Sequence, residues 1–184
     1  MAVKTFTTGE VLTAADTNTY LNNGGLVWIS STTVGTSVAT VTVSNAFSAT
    51  YDSYRIVVRG INPSAQDSFM IMLGSGATTN HFSSIYYDLY SGGSTGTVRT
   101  SNTGKIYCAL NENGNTNSSF TIDVHNPFSA VATQVHGTWA GRAYQGWCGG
   151  FNNLNSSYTS FTIATDGAGT MTGGTIQLYG YRKA

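Results

Sequence analysis

Phe120-Thr121-Ile122-Asp123-Val124-His125 alternates apolar and polar side chains at every step. A period of two is the repeat of a β-strand, whose successive side chains point to opposite faces, and one apolar face means a strand buried on one side only. The same reading extends outward in both directions. Ala39, Val41 and Val43 alternate with Thr40 and Thr42; Ile56 and Val58 with Arg55, Val57 and Arg59; Phe161 and Ile163 with Thr162; Ile176 and Leu178 with Gln177 and Tyr179. Further strands are expected at Leu26–Ser31, Ser68–Leu73, Ser84–Tyr90, Lys105–Asn111, Thr133–Ala140 and Ala143–Gly149. Turn signals separate them at Asn62-Pro63, Gly74-Ser75-Gly76, Ser91-Gly92-Gly93-Ser94, Asn113-Gly114, Asn126-Pro127, Asp166-Gly167 and Gly173-Gly174. About ten short strands with frequent turns predict an all-β protein, an antiparallel β-sandwich. No fixed repeat period is present.

The first 25 residues read differently. Thr13 is suited to cap a helix, because its hydroxyl accepts from a free backbone N–H of the first turn. Asp16, three residues on, gives a capping box with Asp in place of Glu or Gln, and its charge suits the positive helix N-terminus. Ala14 and Ala15 favour the helix and Gly24-Gly25 ends it, which predicts a helix from Ala14 to Asn22. A helix that short is marginal in water and must dock on something. Phe6, Val11, Leu12, Tyr20 and Leu21 are its apolar groups. It packs either on its own domain or on sister chains or a larger particle. Two units follow: a docking arm at 1–25 and a β-sandwich domain at 26–184.

Composition narrows the function. The chain has 184 residues, enough for one domain with a real core plus an appendage, and only 9 % of them are charged. Eight basic residues balance eight acidic ones, so no basic patch exists to displace counterions and nucleic-acid binding is not expected. Ser, Thr, Asn and 22 Gly carry the polarity instead. So little charge leaves sheet edges to be covered by neighbouring subunits. Cys108 and Cys148 lie in apolar strand-like surroundings and read as buried free thiols, with one bridge between them as the alternative. Met1-Ala2-Val3-Lys4 is not followed by an apolar run, and no stretch approaches the ~20 apolar residues of a membrane helix. Synthesis in a cytoplasm, without membrane insertion, is expected.

No catalytic constellation stands out. The acids Glu10, Asp16, Asp52, Asp67, Asp88, Glu112, Asp123 and Asp166 are scattered, whereas glycosidase work needs two carboxyls at a set separation. His81, His125 and His136 show no metal-ligand spacing with each other or with the cysteines. No Gly-x-Ser-x-Gly elbow and no phosphate-loop ending occur. Neither a metal nor another cofactor is expected. One binding surface is suggested by Tyr86, Tyr87, Asp88 and Tyr90 together with Trp139, Arg142, Tyr144, Gln145 and Trp147. Aromatic faces beside polar groups suit sugar rings, and aromatic residues also anchor protein interfaces. The same residues would fill the core if their strands turned them inward.

The segment from Phe6 to Leu21 resembles the N-terminal segments of virion appendage proteins of tailed bacteriophages. Tyr51-Asp52-Ser53-Tyr54-Arg55-Ile56-Val57-Val58-Arg59-Gly60 and Gly173-Gly174-Thr175-Ile176-Gln177-Leu178-Tyr179-Gly180 resemble the C-terminal fibre domains of the same group. That resemblance implies a jelly-roll-like sandwich, a homotrimer and a non-enzymatic role on the virion surface. It implies an arm that contacts capsid or tail proteins and a knob that contacts host-surface glycan. No heptads or collagen-like triplets separate arm from body, so there is no shaft. The expected function is a short fibre or receptor-binding knob, with a capsid decoration protein as the alternative and a carbohydrate-active enzyme as the reading from another class.

Overall fold

The structure is a computed structural model and describes residues 7–16, 25–74, 79–93, 95–110 and 117–183. Among them are a one-turn helix, α1 (Ala14–Asp16), and thirteen strands. In chain order these are β1 (Leu26–Thr33), β2 (Thr40–Val43), β3 (Ser53–Pro63), β4 (Ser68–Leu73), β5 (His81–Leu89), β6 (Thr95–Thr103), β7 (Ile106–Leu110), β8 (Ser118–His125), β9 (Thr133–Ala140), β10 (Tyr144–Asn152), β11 (Phe161–Thr165), β12 (Met171–Thr172) and β13 (Thr175–Tyr181).

The strands form two antiparallel sheets packed as a sandwich. The larger runs β1-β13-β3-β8-β9-β10-β5-β6, with β12 appended to β3; the smaller runs β2-β11-β4-β7. Within this order lies a jelly roll. Setting aside β5, β6, β9, β10 and β12, the first remaining strand pairs with the last (β1·β13), the second with the second-last (β2·β11), and so inward to β3·β8 and β4·β7. This folded-over hairpin is rolled so that β13 also joins β3 and β11 also joins β4. The remaining strands β9, β10, β5 and β6 extend the large sheet beyond β8, and β7 packs against β5, β9 and β10.

The period-two pattern decides which side of each strand is buried. Tyr54, Ile56 and Val58 of β3, Phe120, Ile122 and Val124 of β8, and Ile176 and Leu178 of β13 all face the smaller sheet, which contributes Phe69, Ile71, Leu73, Phe161 and Ile163. Phe69 meets Phe120 across the sandwich with ring centroids 5.2 Å apart. Tyr54 is completely buried, and its hydroxyl is satisfied by the backbone of Ser48, donating to the carbonyl and accepting from the N–H, both at 2.8 Å. His81 is likewise buried. Its Nδ1 lies 3.2 Å from the carbonyls of Thr79 and Thr103, and Asn152 Nδ2 donates to Nε2 at 3.0 Å. Cys108 and Cys148 are free and buried.

Most expected strands appear within a residue or two of their predicted bounds, and Ser68–Leu73 and Thr133–Ala140 match as stated. Three features differ, the first being the two-residue β12, which no expected strand covers. The turn expected at Asn62-Pro63 is the end of β3, which pairs with β12; the bend follows at residues 64–66. Pro63 is tolerated there because that end is bordered only by the two-residue β12. The strand β6 was not anticipated, because Thr95-Gly96-Thr97-Val98-Arg99-Thr100-Ser101-Asn102-Thr103 lacks an apolar face: as an edge strand it buries little. In the arm, the capping box forms as expected. Asp16 N donates to Thr13 Oγ1 at 3.1 Å, and Thr13 N and its hydroxyl donate to Asp16 Oδ2 at 3.2 and 2.6 Å. Residues 17–22 of the expected helix lie outside the described residues, as do Phe6, Tyr20 and Leu21.

Two glycines of adjacent strands test this packing. A Cβ at Gly137 in β9 would sit 2.3 Å from the Thr121 carbonyl oxygen and 2.6 Å from Ile122 Cγ2, whereas one at Gly149 in β10 would meet nothing within 4 Å. Chemical denaturation should show Gly137→Ala destabilised by roughly 1–3 kcal/mol, as overpacking does, with Gly149→Ala close to wild type.

Candidate functional site

The outer face of the large sheet, turned away from the core, carries several exposed aromatic groups among the described residues. Register places Phe82 opposite Phe151, Ser84 opposite Gly149, Tyr86 opposite Trp147 and Asp88 opposite Gln145 along the β5–β10 pair. Directly opposed side chains on one face are within contact distance. The two aromatic pairs accordingly stack, Tyr86 on Trp147 at 4.1 Å and Phe82 on Phe151 at 5.0 Å between centroids. Trp147 remains 56 % exposed, so most of its ring is available to a partner. Between the stacks, Ser84 and Gly149 form a low floor that continues to Arg99 of β6 on one side and His136 of β9 on the other. A depression of about 630 Å³ lies along this row, lined by Phe82 and Phe151 but not by Tyr86 or Trp147.

Beyond His136 the same cross-strand row reaches Asp123 of β8 and Arg55 of β3. Asp123 is buried and therefore needs partners. Arg55 holds it with both prongs of its guanidinium, Nε to Oδ1 at 2.8 Å and Nη2 to Oδ2 at 2.7 Å, and the Tyr181 hydroxyl donates to Oδ1 at 2.8 Å. Burial acts to raise the Asp123 carboxyl, but the hydrogen bonds from Arg55 and Tyr181 outweigh it and leave the group below its ordinary value. Burial, then the hydrogen bond to Asp123, pushes Tyr181 up to about 12. His136 Nε2 stands 3.8 Å from Asp123 Oδ2, and its ring stacks on His125 at 5.0 Å. His125 Nδ1 shares a 2.8 Å hydrogen bond with the Ser53 hydroxyl. Burial and the neighbouring His136 both lower the pKa of His125.

The expected aromatic patch is divided by strand parity. Tyr86, Asp88 and Trp147 lie together on the outer face. Trp139 is buried on the inner face, where its indole N–H finds no partner among the described residues. Tyr87 and Tyr144 meet edge to face at 5.6 Å against the core. Tyr90 and Arg142 are exposed in turns at the end of the β5–β10 pair. Phe82, Phe151, Arg99, Gly149 and Ser84 were not singled out by sequence. Only register reveals them, since Phe82 and Phe151 are far apart in the chain.

Elsewhere, Asp67 and Asp166 flank Gly167. Burial raises the Asp67 carboxyl. Burial also acts to raise Asp166, but Lys105 and Tyr107 bind it and hold it low. A cavity of about 260 Å³ is lined by Asp67, Tyr87 and Tyr144 but not by Asp166. No group of three or more metal-ligating side chains occurs among the described residues, and no described helix is long and apolar enough to cross a membrane.

No protein-family model matches the chain, and no curated protein matches it. Among solved structures, it is similar to a protein of unknown function from Shewanella oneidensis MR-1, at 9 % identity over 87 % of this chain and 77 % of that one, with a TM-score of 0.26.

Acid should weaken the fold through its histidines. His81, desolvated by burial, and His125 both have folded pKa values below their ordinary 6.5. Between the folded and ordinary values the unfolded chain binds more protons, so this stability is complete above about pH 6.5 and drains away below it. Asp123 adds a second window, with stability present above 3.8 and lost as pH falls through its lower folded value. Thermal melts from pH 7 to 5 should fall, and His125→Gln should flatten the slope without abolishing it, because His81 still titrates.

Proposed function

We propose that this chain is a non-enzymatic structural protein of a tailed-phage virion, a homotrimeric knob held on the particle surface by its N-terminal arm. The observation that carries the reading is the arm itself. Its helix start is capped internally, while Val11 is 79 % and Leu12 47 % exposed, so apolar side chains are presented just ahead of a capped helix start with nothing over them from the jelly roll. The arm leaves the body at Gly25, whose carbonyl accepts from Arg182 N at 3.1 Å, so both ends of the domain lie at the β1 edge of the large sheet. The aromatic outer face of β5 and β10 lies toward the opposite edge. With strands about 4.8 Å apart, the two edges of this eight-strand path are roughly 34 Å apart. One edge therefore suits docking and the other suits an outward-facing contact with host-surface glycan. These properties fit a short fibre or receptor-binding knob.

A capsid decoration protein is the second reading, favoured by one observation: β1 begins at Leu26, directly after Gly25, so no shaft gives the knob reach. Copies per particle separate the two, a handful for a fibre and hundreds for a decoration protein.

Deletion of residues 1–25 should leave the body folded with a near-unchanged melting temperature and abolish incorporation into particles. Val11→Asp with Leu12→Asp should do the same in the full chain. Truncated protein recovered on purified particles at wild-type level would remove the docking role. Thr13→Ala should weaken helix formation by about 1 kcal/mol and reduce incorporation only in part.

A further inference from the structure

The depression beside the Phe82–Phe151 stack has the make-up of a ligand site. Its volume of about 630 Å³ falls within the range of about 300–1,000 Å³ typical of small-molecule sites. It crosses four strands, β6, β5, β10 and β9, a span of about 14 Å at the usual strand spacing. An elongated open trough of this kind accepts a segment of a longer chain more readily than a compact molecule. Its floor, Ser84 and Gly149, is low because neither residue has a bulky side chain; the Phe82–Phe151 stack lines it, and the Tyr86–Trp147 stack stands one row further along the strands, outside its lining. Aromatic carbon beside hydroxyl, amide and imidazole groups suits a pyranose, whose C–H surface needs an apolar contact while its hydroxyls need hydrogen bonds. Ser84, Gln134 and His136 supply the polar contacts.

Charge narrows the ligand further. Arg99 is exposed at one end of the trough and has no hydrogen bond or ion pair with another described residue. No carboxylate lines the trough to neutralise it. Asp123, the nearest acid along the row, is held by Arg55 and Tyr181. Asp88 lies four residues along β5 from Ser84, about 13 Å away at the usual strand rise. An unopposed guanidinium at the end of an aromatic trough favours an anion that it can clasp with two parallel hydrogen bonds.

We propose that this trough binds a carboxylate-bearing pyranose unit of an acidic polysaccharide, with Arg99 clasping the carboxylate and the Phe82–Phe151 stack bordering the sugar. The inference rests on the reading of this edge as the outward face of the knob, and it adds the ligand class and the residue that selects it.

The test uses the purified full chain and a panel of short acidic oligosaccharides: oligogalacturonate, hyaluronan fragments, oligomannuronate and sialyllactose. The uronate oligomers are paired with their methyl esters and sialyllactose with lactose. Calorimetry and tryptophan fluorescence read binding. At least one acidic member should bind at least about tenfold tighter than its neutral counterpart, the scale of one charge-assisted contact. Arg99→Gln should erase that preference and leave the weaker neutral binding. Gly149→Leu should fill the trough and abolish binding with an unchanged melting temperature, since a Cβ there meets nothing within 4 Å. Failure of every acidic member to bind at millimolar concentration would overturn the proposal. So would full binding by Gly149→Leu, or a change in that variant's oligomeric state in place of lost binding, which would make the trough a contact between copies. Binding by a chain that never enters particles would remove the virion reading and leave this site intact; incorporation without binding would do the reverse.

Discussion

The structure depends on β13 lying between β1 and β3. That single insertion joins the last described strand to the first and to β3, and it closes the roll. Ile176 and Leu178 complete the core against Ile56 and Val58, and Tyr181 reaches Asp123 from the same strand. Pairing strands so distant in sequence means that loop-closure entropy must be met before the contacts that reward it form. The core residues of β3 and β8 cannot be fully covered until the final strand arrives.

The inserted strands put that scaffold to use. A bare jelly roll of eight strands would end its large sheet at β8. Here β9, β10, β5 and β6 carry the sheet onward, and β7 supports their inner side. The outer face gains breadth without a second core. Its central row runs from Arg99 over the small Ser84 and Gly149 to His136, Asp123 and Arg55. The buried carboxylate of Asp123 anchors the inner end of that row. It is tolerable there only because a bidentate guanidinium and a phenol hydroxyl satisfy both oxygens. At the outer end Arg99 has no such partner among the described residues.

Much of the fold could be read from the chain because burial on one side writes itself as a period of two. Phe120, Ile122 and Val124, or Ile56 and Val58, had only one arrangement that hides them. The strand β6 left no such mark: an edge strand with a polar outer face and a lightly covered inner face needs few apolar residues. The candidate site was legible only in part. Tyr86, Asp88 and Trp147 were recognised as neighbours of interest, but so were Tyr87, Tyr144 and Trp139, which parity turns inward. Phe82, Phe151, Arg99 and the floor of the trough carried no local signal.

By itself, then, the sequence determined the all-β class, the approximate strands and the capped arm start, because these follow from contacts between residues a few positions apart. The jelly-roll order, the addition of four strands to one sheet and the assembly of the trough were decided only by tertiary structure. They depend on which strands pair and in what register, and register is set by the joint packing of segments distant in the chain. A shift of one residue in β10 would have buried Trp147 and exposed Cys148.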